Sequence, residues 1–152
     1  MMWIIISIVI VALDQVTKMI VLNNIEPDGA IIIIDKFFFL TNIRNKGAAW
    51  SILQNGRYFL ITMTIIASVI IIYFLFKSSS KLLKLSLSIT LGGAVGNLID
   101  RVIVGSVVDF LDFNFGSYHF PVFNAADASV VVGTIILAYY MLFVYKEHTA
   151  NA

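Results

Sequence analysis

The stretch YFLITMTIIASVIIIYFLF, residues 58–76, contains no charged side chain and decides the fold class. A helix needs about 20 apolar residues to cross the hydrocarbon core of a bilayer, and this stretch meets that requirement. The rest of the chain agrees, since 60% of its 152 residues are hydrophobic and 12% are charged. Soluble domains contain about 25% charged residues. The chain is therefore expected to be an integral membrane protein.

Three further apolar runs complete a set of four predicted membrane-spanning helices. The predicted spans are residues 3–22, 58–76, 82–104 and 128–145, in a single domain over residues 1–152. The first run has an alternative as a cleaved signal peptide, but it lacks a basic start and a small-residue cleavage site. Asp14 and Lys18 lie four residues apart in this run, a spacing at which acid and base attract on one helical face. We therefore expect a retained helix.

The segment between the first two spans, residues 23–57, contains two runs typical of β-strands. Residues 31–34 and 37–43 are rich in β-branched and aromatic side chains, and glycine and proline residues bound them. The prediction is an all-α membrane protein with four transmembrane helices and a small extracytoplasmic sheet between helices 1 and 2. The alternative is a surface cap that only shields the bundle.

Basic residues beside the spans predict the orientation, because cytoplasmic loops collect Lys and Arg. The short loop between spans two and three carries Lys77, Lys81 and Lys84. This loop is expected to be cytoplasmic, and both termini with it, in agreement with Lys146. The basic residues of the segment 23–57 oppose this assignment: Arg44, Lys46 and Arg57. With a net charge of +1 and no basic patch, a nucleic-acid partner is not expected.

Span three contains the densest polar pattern, GGAVGNLIDR at residues 92–101. Gly92 and Gly96 are four residues apart, which lets another helix approach closely. Asn97, Asp100 and Arg101 are spaced by three and four, so they share one helical face. Each has a structural alternative: packing for the glycines, a helix–helix hydrogen bond for Asn97, and an ion pair between Asp100 and Arg101.

Two acids lie at the ends of the turn-rich segment 105–126. Asp109 sits in an apolar run, and no Lys or Arg occurs between residues 103 and 145 to pair with it. Asp127 opens span four, where Asn124 to Asp127 also has the pattern of a capping box. Carboxylates near hydrocarbon are costly and mark functional sites. The pair suggests acid–base chemistry.

Five motifs, in order along nearly the whole chain, resemble the bacterial lipoprotein signal peptidases, also called signal peptidase II. They are Asp14 to Lys18, Asn45 to Ser51, Gly93 to Arg101, Val108 to Phe110, and Phe123 to Asp127. One position departs from the family pattern, since Trp50 stands where the family often has Phe.

This resemblance implies an aspartyl endopeptidase with a surface β-cradle. It would cleave diacylglyceryl-modified prolipoproteins just before the lipidated Cys, with Asp109 and Asp127 as catalytic dyad. The implied supporting positions are Asn45, Gly47, Asn97, Asp100, Arg101 and Asn124, with Asp14 and Lys18 as structural residues. The expected location is the bacterial cytoplasmic membrane, with the dyad at its extracytoplasmic face. We expect a monomer whose partners are the lipid-modified prolipoprotein substrate and membrane lipids. No cofactor or metal is expected.

Other classes of function remain open from the residues alone. A small transporter or channel would use Asp14, the acid nearest to the middle of a span. A scaffold subunit would use the Gly92 and Gly96 face. The intramembrane Gly-x-Gly-Asp proteases are not matched, because residues 106–108 before Asp109 read Ser-Val-Val. His119 has no assigned role, and no spacing of acids and histidines matches a metal-ligand signature.

Overall fold

The computed structural model describes residues 2–47 and 56–145, so Trp50, Lys146 and the second motif beyond Gly47 lie outside the described residues. This part of the chain contains four helices that are long and apolar enough to cross a membrane. They are α1 Met2–Asn24, α2 Arg57–Lys77, α3 Lys81–Ile103 and α4 Ala125–Tyr139, which continues as a π-helix over Tyr140–Val144. The four predicted helices are confirmed, although α4 begins three residues earlier than predicted.

Four strands form one antiparallel sheet in the order β1-β2-β3-β4. They are β1 Ala30–Ile34, β2 Phe38–Asn45, β3 Val107–Phe115 and β4 Tyr118–His119. The two predicted strands are confirmed as β1 and β2. The placement of the whole sheet between helices 1 and 2 was wrong, because β3 and β4 come from between α3 and α4. The first four residues of β3 are buried, so this strand lacks the alternating pattern that identifies a half-buried strand.

The sheet packs on the end of α1 through a small apolar core. Val21 of α1 and Ile25, which directly follows that helix, contact Val108 and Phe110 of β3, and all four side chains are buried. The register of β2 and β3 places Ile43 opposite Asp109 and Arg44 opposite Val108. Because neighbouring residues of a strand face opposite sides of a sheet, Asp109 lies on the face away from this core.

Glycines allow α3 to approach both α1 and α4 closely. A Cβ atom at Gly92 would lie 2.8 Å from the Cβ of Ile10. At Gly96, a Cβ would lie 2.6 Å from Asp14 Oδ2 and 3.3 Å from the Cβ of Ala126. The close helix approach predicted from the small-residue spacing is confirmed, and α3 is the helix that α1, α2 and α4 all contact.

The replacement Gly96→Leu is expected to destabilise the fold by about 1–3 kcal/mol or more, because the new side chain displaces Asp14 or α4. Denaturant unfolding in detergent micelles measures the effect. Ala67→Leu adds similar bulk to an exposed position of α2 and serves as the control. Equal stability of the two variants would show that the space between α1, α3 and α4 is not tight.

Candidate active site

Asp109 lies in the first half of β3 with only 3% of its surface exposed. Both of its carboxyl oxygens accept hydrogen bonds from neutral amides. Asn45 Nδ2 donates to Oδ2 at 2.9 Å, and Asn124 Nδ2 donates to Oδ1 at 2.7 Å. Within residues 2–47 and 56–145 no Lys or Arg forms an ion pair with it. Among the described residues, the Asp109 carboxyl is thus bound by neutral amide groups and not by a cationic side chain in direct contact.

Asp127 lies in the first turn of α4, where it completes a capping box with Asn124. Asp127 N donates to Asn124 Oδ1 at 2.9 Å, and Asn124 N donates to Asp127 Oδ2 at 3.2 Å. The capping interpretation of this motif is therefore confirmed. The box occupies one carboxyl oxygen, and the other accepts a hydrogen bond from Asn97 Nδ2 of α3 at 2.7 Å. Helix capping and the bond from α3 together fix the orientation of the Asp127 carboxyl.

The fully buried Asn124 connects these two carboxyls. Its Nδ2 donates to Asp109 Oδ1 and also to Asn97 Oδ1 at 3.2 Å. Its backbone N–H donates to Asp127 Oδ2, while its Oδ1 accepts from the backbone N–H of Asp127. The segment before α4 places Asn124 there, because Phe123 O accepts hydrogen bonds from two backbone N–H groups of β3. Strand β3 lies near the start of the segment 105–126, and α4 begins near its other end. Asn124 thus connects the two elements.

Burial raises the pKa of Asp109 to about 6, from an ordinary value of 3.8. The hydrogen bond from Asn45 acts in the opposite direction, the charge of Asp127 raises the pKa further, and the Asn124 bond and the charge of Lys18 lower it. The mutual repulsion of two carboxylates favours a shared proton. A carboxyl with this pKa gains and loses its proton near neutral pH, as acid–base catalysis requires.

The raised pKa of Asp109 predicts how stability depends on pH. The folded state binds this proton more tightly than the unfolded chain, so its contribution is complete below pH 3.8 and is lost as the pH rises through about 6. Asp109→Asn should therefore show a smaller decrease in unfolding temperature between pH 4 and 7 than the wild-type protein. Thermal unfolding in buffers of constant ionic strength measures both slopes, and identical slopes would contradict the raised pKa.

A second polar cluster lies behind Asn97 and centres on the buried Lys18 of α1. Lys18 Nζ lies 2.8 Å from Asp14 Oδ2 and 2.8 Å from Asp100 Oδ2, and it donates to Asn97 Oδ1 at 2.9 Å. The attraction predicted between Asp14 and Lys18 is confirmed. Asp100 forms its ion pair with Lys18 and not with Arg101, so that alternative was wrong within the part of the chain that the structure describes.

Asp14 links this cluster to the start of α4, and Gln15 completes it. Asp14 Oδ1 accepts from Ala126 N at 2.9 Å, and no part of Asp14 is exposed. Gln15 Nε2 lies within 3.2 Å of Asp14 Oδ2 and Gly96 O, and 3.0 Å from Asp100 Oδ1. The sequence analysis missed Gln15, although its position three residues before Lys18 places both on one face of α1.

Two arginines form hydrogen bonds to backbone carbonyls near the C-terminal end of α3. Arg101 Nη2 donates to Gly47 O at 3.1 Å, and Gly47 N donates to Asn45 Oδ1 at 2.9 Å. Arg57, recognised from the sequence only as a basic residue, donates to Arg101 O and Val102 O at 2.8 Å each. Because the last carbonyls of a helix lack intrahelical donors, Arg57 caps α3. Arg101 thus holds Gly47 beside the Asn45–Asp109 contact.

Within the described residues, no three His, Cys, Asp or Glu side chains are grouped closely enough to hold a metal ion. His119 lies in the exposed β4 strand, away from both polar clusters. The arrangement therefore provides two carboxyls connected by Asn124 and amide donors around them. It also provides the buried cation of Lys18, which contacts Asn97, and Asn97 in turn contacts Asp127. These groups are suited to acid–base activation of a water molecule.

The model of the family described as signal peptidase (SPase) II matches residues 6–143. The chain belongs to this family. A lipoprotein signal peptidase of Bacillus pumilus is 45% identical over 149 residues, covering 97% of this chain and 96% of that protein. A lipoprotein signal peptidase of Listeria monocytogenes is 43% identical over 143 residues, covering 93% of both chains. The family resemblance derived from the five motifs is confirmed.

Two solved structures, both described as bacterial membrane enzymes obtained by the in meso method, share the fold. One has a TM-score of 0.87 and 38% identity, over 93% of this chain and 87% of its own. The other has a TM-score of 0.84 and 38% identity, over 93% of both chains. The chain is thus a bacterial multi-pass membrane protein, and its membership of a signal peptidase family makes it a protease.

Proposed function

We propose that this chain is an aspartyl endopeptidase that removes signal peptides from diacylglyceryl-modified prolipoproteins. It cuts just before the lipidated Cys and uses Asp109 and Asp127 as its catalytic dyad. The observation that carries this proposal is the position of buried Asn124, whose side-chain amide donates to the Asp109 carboxyl and whose backbone N–H donates to the Asp127 carboxyl, so that both acids are held in one site. The names of the relatives in Bacillus pumilus and Listeria monocytogenes, lipoprotein signal peptidases, supply the substrate class.

The dyad works with one proton shared between its two members. The ionised carboxylate removes a proton from a water molecule, whose oxygen attacks the carbonyl carbon of the scissile peptide bond. The protonated carboxyl donates its proton to the developing oxyanion or to the leaving amine. The C–N bond breaks, and the dyad again carries one proton. The pKa of Asp109, near 6, places this exchange in the physiological range.

The surrounding amides keep the carboxyls in position while the proton moves. Asn45, Asn97 and Asn124 each donate to a dyad oxygen at 2.7–2.9 Å. These neutral donors hold the carboxyls without a counter-ion that would suppress the basicity of the ionised member. Arg101 fixes Gly47, which offers a backbone edge without side-chain bulk to an extended peptide.

Asp14, Lys18 and Asp100 serve in this account as the rigid support of the dyad. Lys18 donates to Asn97, and Asp14 accepts from the first turn of α4, so the cluster supports Asn97 and the helix that carries Asp127. The carboxylate oxygens of Asp14 are used by Lys18, Gln15 and Ala126. This use argues against the rival hypothesis of a transporter in which Asp14 binds and releases a transported ion.

In the proposed orientation the α2–α3 loop faces the cytoplasm, because Lys77 and Lys81 flank it. Both termini then lie on the cytoplasmic side, and the sheet and dyad lie at the extracytoplasmic face. We assign residues 1–152 to a single membrane domain that acts as a monomer among membrane lipids. One of the basic residues that opposed this orientation has a structural role beside the site, since Arg57 caps α3.

Reconstitution tests this function directly. The purified protein in liposomes should release the signal peptide from a diacylglyceryl-modified prolipoprotein, and mass spectrometry should find the product beginning at the lipidated Cys. The same precursor without the lipid is the control and should be cut much more slowly. Equal cleavage of both precursors would contradict the lipid-modified substrate class, and no cleavage of either would contradict the proposed peptidase function.

A further inference from the structure

A cavity lies on the opposite face of the sheet from Asp109. It has a volume of about 190 Å³ and is lined by α1, α3 and the ends of β2 and β3. Its apolar walls include Met19 and Leu22 of α1, Ile103 of α3, and Val104, which directly follows α3. All four side chains are substantially exposed, with Ile103 74% exposed, so the cavity opens sideways between two membrane-spanning helices. We call it the α1–α3 groove.

Arg44 provides the charge at the sheet end of this groove. It is paired in register with Val108, which also lines the groove, whereas its neighbour Ile43 is paired with Asp109 on the other face. Arg44 is exposed, and it makes no ion pair or side-chain hydrogen bond with any residue that the structure describes. A guanidinium that has no described anionic partner and lies beside apolar side chains is suited to bind an anion that also carries an apolar group.

The floor of the groove is polar but neutralised. Lys18 and Asp100 line it and form an ion pair at 2.8 Å, and Gln15 donates to Asp100 at 3.0 Å. On its other side Lys18 bonds to Asn97, which bonds to Asp127. The Lys18–Asp100 pair therefore separates the groove from the dyad. Among the charged residues that line the groove, Arg44 is therefore the one without a described partner of opposite charge.

We infer that the α1–α3 groove binds one anionic membrane phospholipid. Its phosphate diester is held by the Arg44 guanidinium, which is suited to bidentate contacts with phosphate oxygens, and an acyl chain covers Met19 and Ile103. A zwitterionic phospholipid carries a second, cationic group, and Asp100 is not free to receive it because Lys18 occupies it. The apolar walls favour a lipid over free phosphate, since a soluble anion would bury none of this surface.

The test measures lipid binding without any precursor, so it is independent of the proposed peptidase function. The detergent-solubilised protein is titrated with phosphatidylglycerol, with phosphatidylcholine of the same chains, and with soluble glycerol phosphate, and bound lipid is counted by native mass spectrometry. We expect one phosphatidylglycerol to bind in preference to phosphatidylcholine, with no binding of glycerol phosphate at the same concentration. Arg44→Gln should weaken phosphatidylglycerol binding about fivefold.

Lys46→Gln is the matched control, because it removes the same charge two residues away outside the groove lining. It should bind phosphatidylglycerol as the wild-type protein does. Unchanged binding by Arg44→Gln, or equal weakening by both variants, would overturn the site in favour of general surface attraction. Equal binding of glycerol phosphate would assign Arg44 to free phosphate. If Arg44→Gln changes only the KM for a precursor and not lipid binding, the groove belongs to the substrate and the inference is wrong.

Discussion

Replacing Asp109 by Asn should lower the rate of prolipoprotein cleavage by at least about 10²–10⁴-fold, the range for loss of a positioned acid or base. Asp127→Asn should do the same. Each change keeps the shape of the side chain but removes the proton that the dyad shares, so neither water activation nor protonation of the leaving group can follow. The measurement is the initial rate of signal-peptide release in liposomes, with both variants compared at equal protein concentration.

Asp112→Asn provides the control for this prediction. Asp112 lies on the same strand three residues after Asp109, and it takes no part in the network around Asn124. It should retain full activity. The unfolding temperature of each variant shows whether loss of activity reflects chemistry or loss of fold. Normal processing by well-folded Asp109→Asn or Asp127→Asn would refute the proposed mechanism.

Replacing Asp14 by Ala should lower the free energy of unfolding by about 3–5 kcal/mol, the cost of removing one partner from a buried ion pair. The change leaves the buried Lys18 with one carboxylate and deprives Ala126 N of its acceptor. An unsatisfied buried donor adds its own penalty. Denaturant unfolding in detergent micelles measures the loss, and Asp14→Asn, which keeps an acceptor for Ala126, should lose less.

Glu26→Ala is the control for Asp14, because it removes an acid of the same net charge from an exposed position beyond α1. Its stability should stay within about 0.5 kcal/mol of the wild-type protein. A transporter whose function depends on Asp14 predicts a different outcome, in which Asp14→Asn folds normally and loses ion flux. A stable Asp14→Ala protein would show that the cluster around Lys18 is not a structural support.

The helices and much of the site could be predicted from sequence because their signals are local. A 19-residue uncharged run such as residues 58–76 permits few interpretations, and the spacing of Asn97 and Asp100 places both on one face of α3. The capping box at Asn124 is also a four-residue pattern. The bond from Asn124 to Asp109 is not local, since it depends on how the segment before α4 lies along β3.

The rest of the sheet could not be predicted because β3 is covered from both sides at its start. Val107 to Phe110 are buried, so the strand reads as an apolar run interrupted by one acid. The choice of Lys18 as the partner of Asp100 also depends on tertiary structure. Arg101 is adjacent in sequence, but neighbouring positions on a helix point in different directions, and α1 brings Lys18 to the correct face.

The central claim is that Asp109 and Asp127 act as one unit through a shared proton, and a double-mutant cycle tests it most directly. Cleavage rates are compared for Asp109→Asn, Asp127→Asn and the protein carrying both changes. Residues that act as a unit have strongly non-additive effects, so the double variant should be no slower than either single variant. If the two losses instead multiply in the double variant, the carboxyls act independently and the dyad mechanism is wrong.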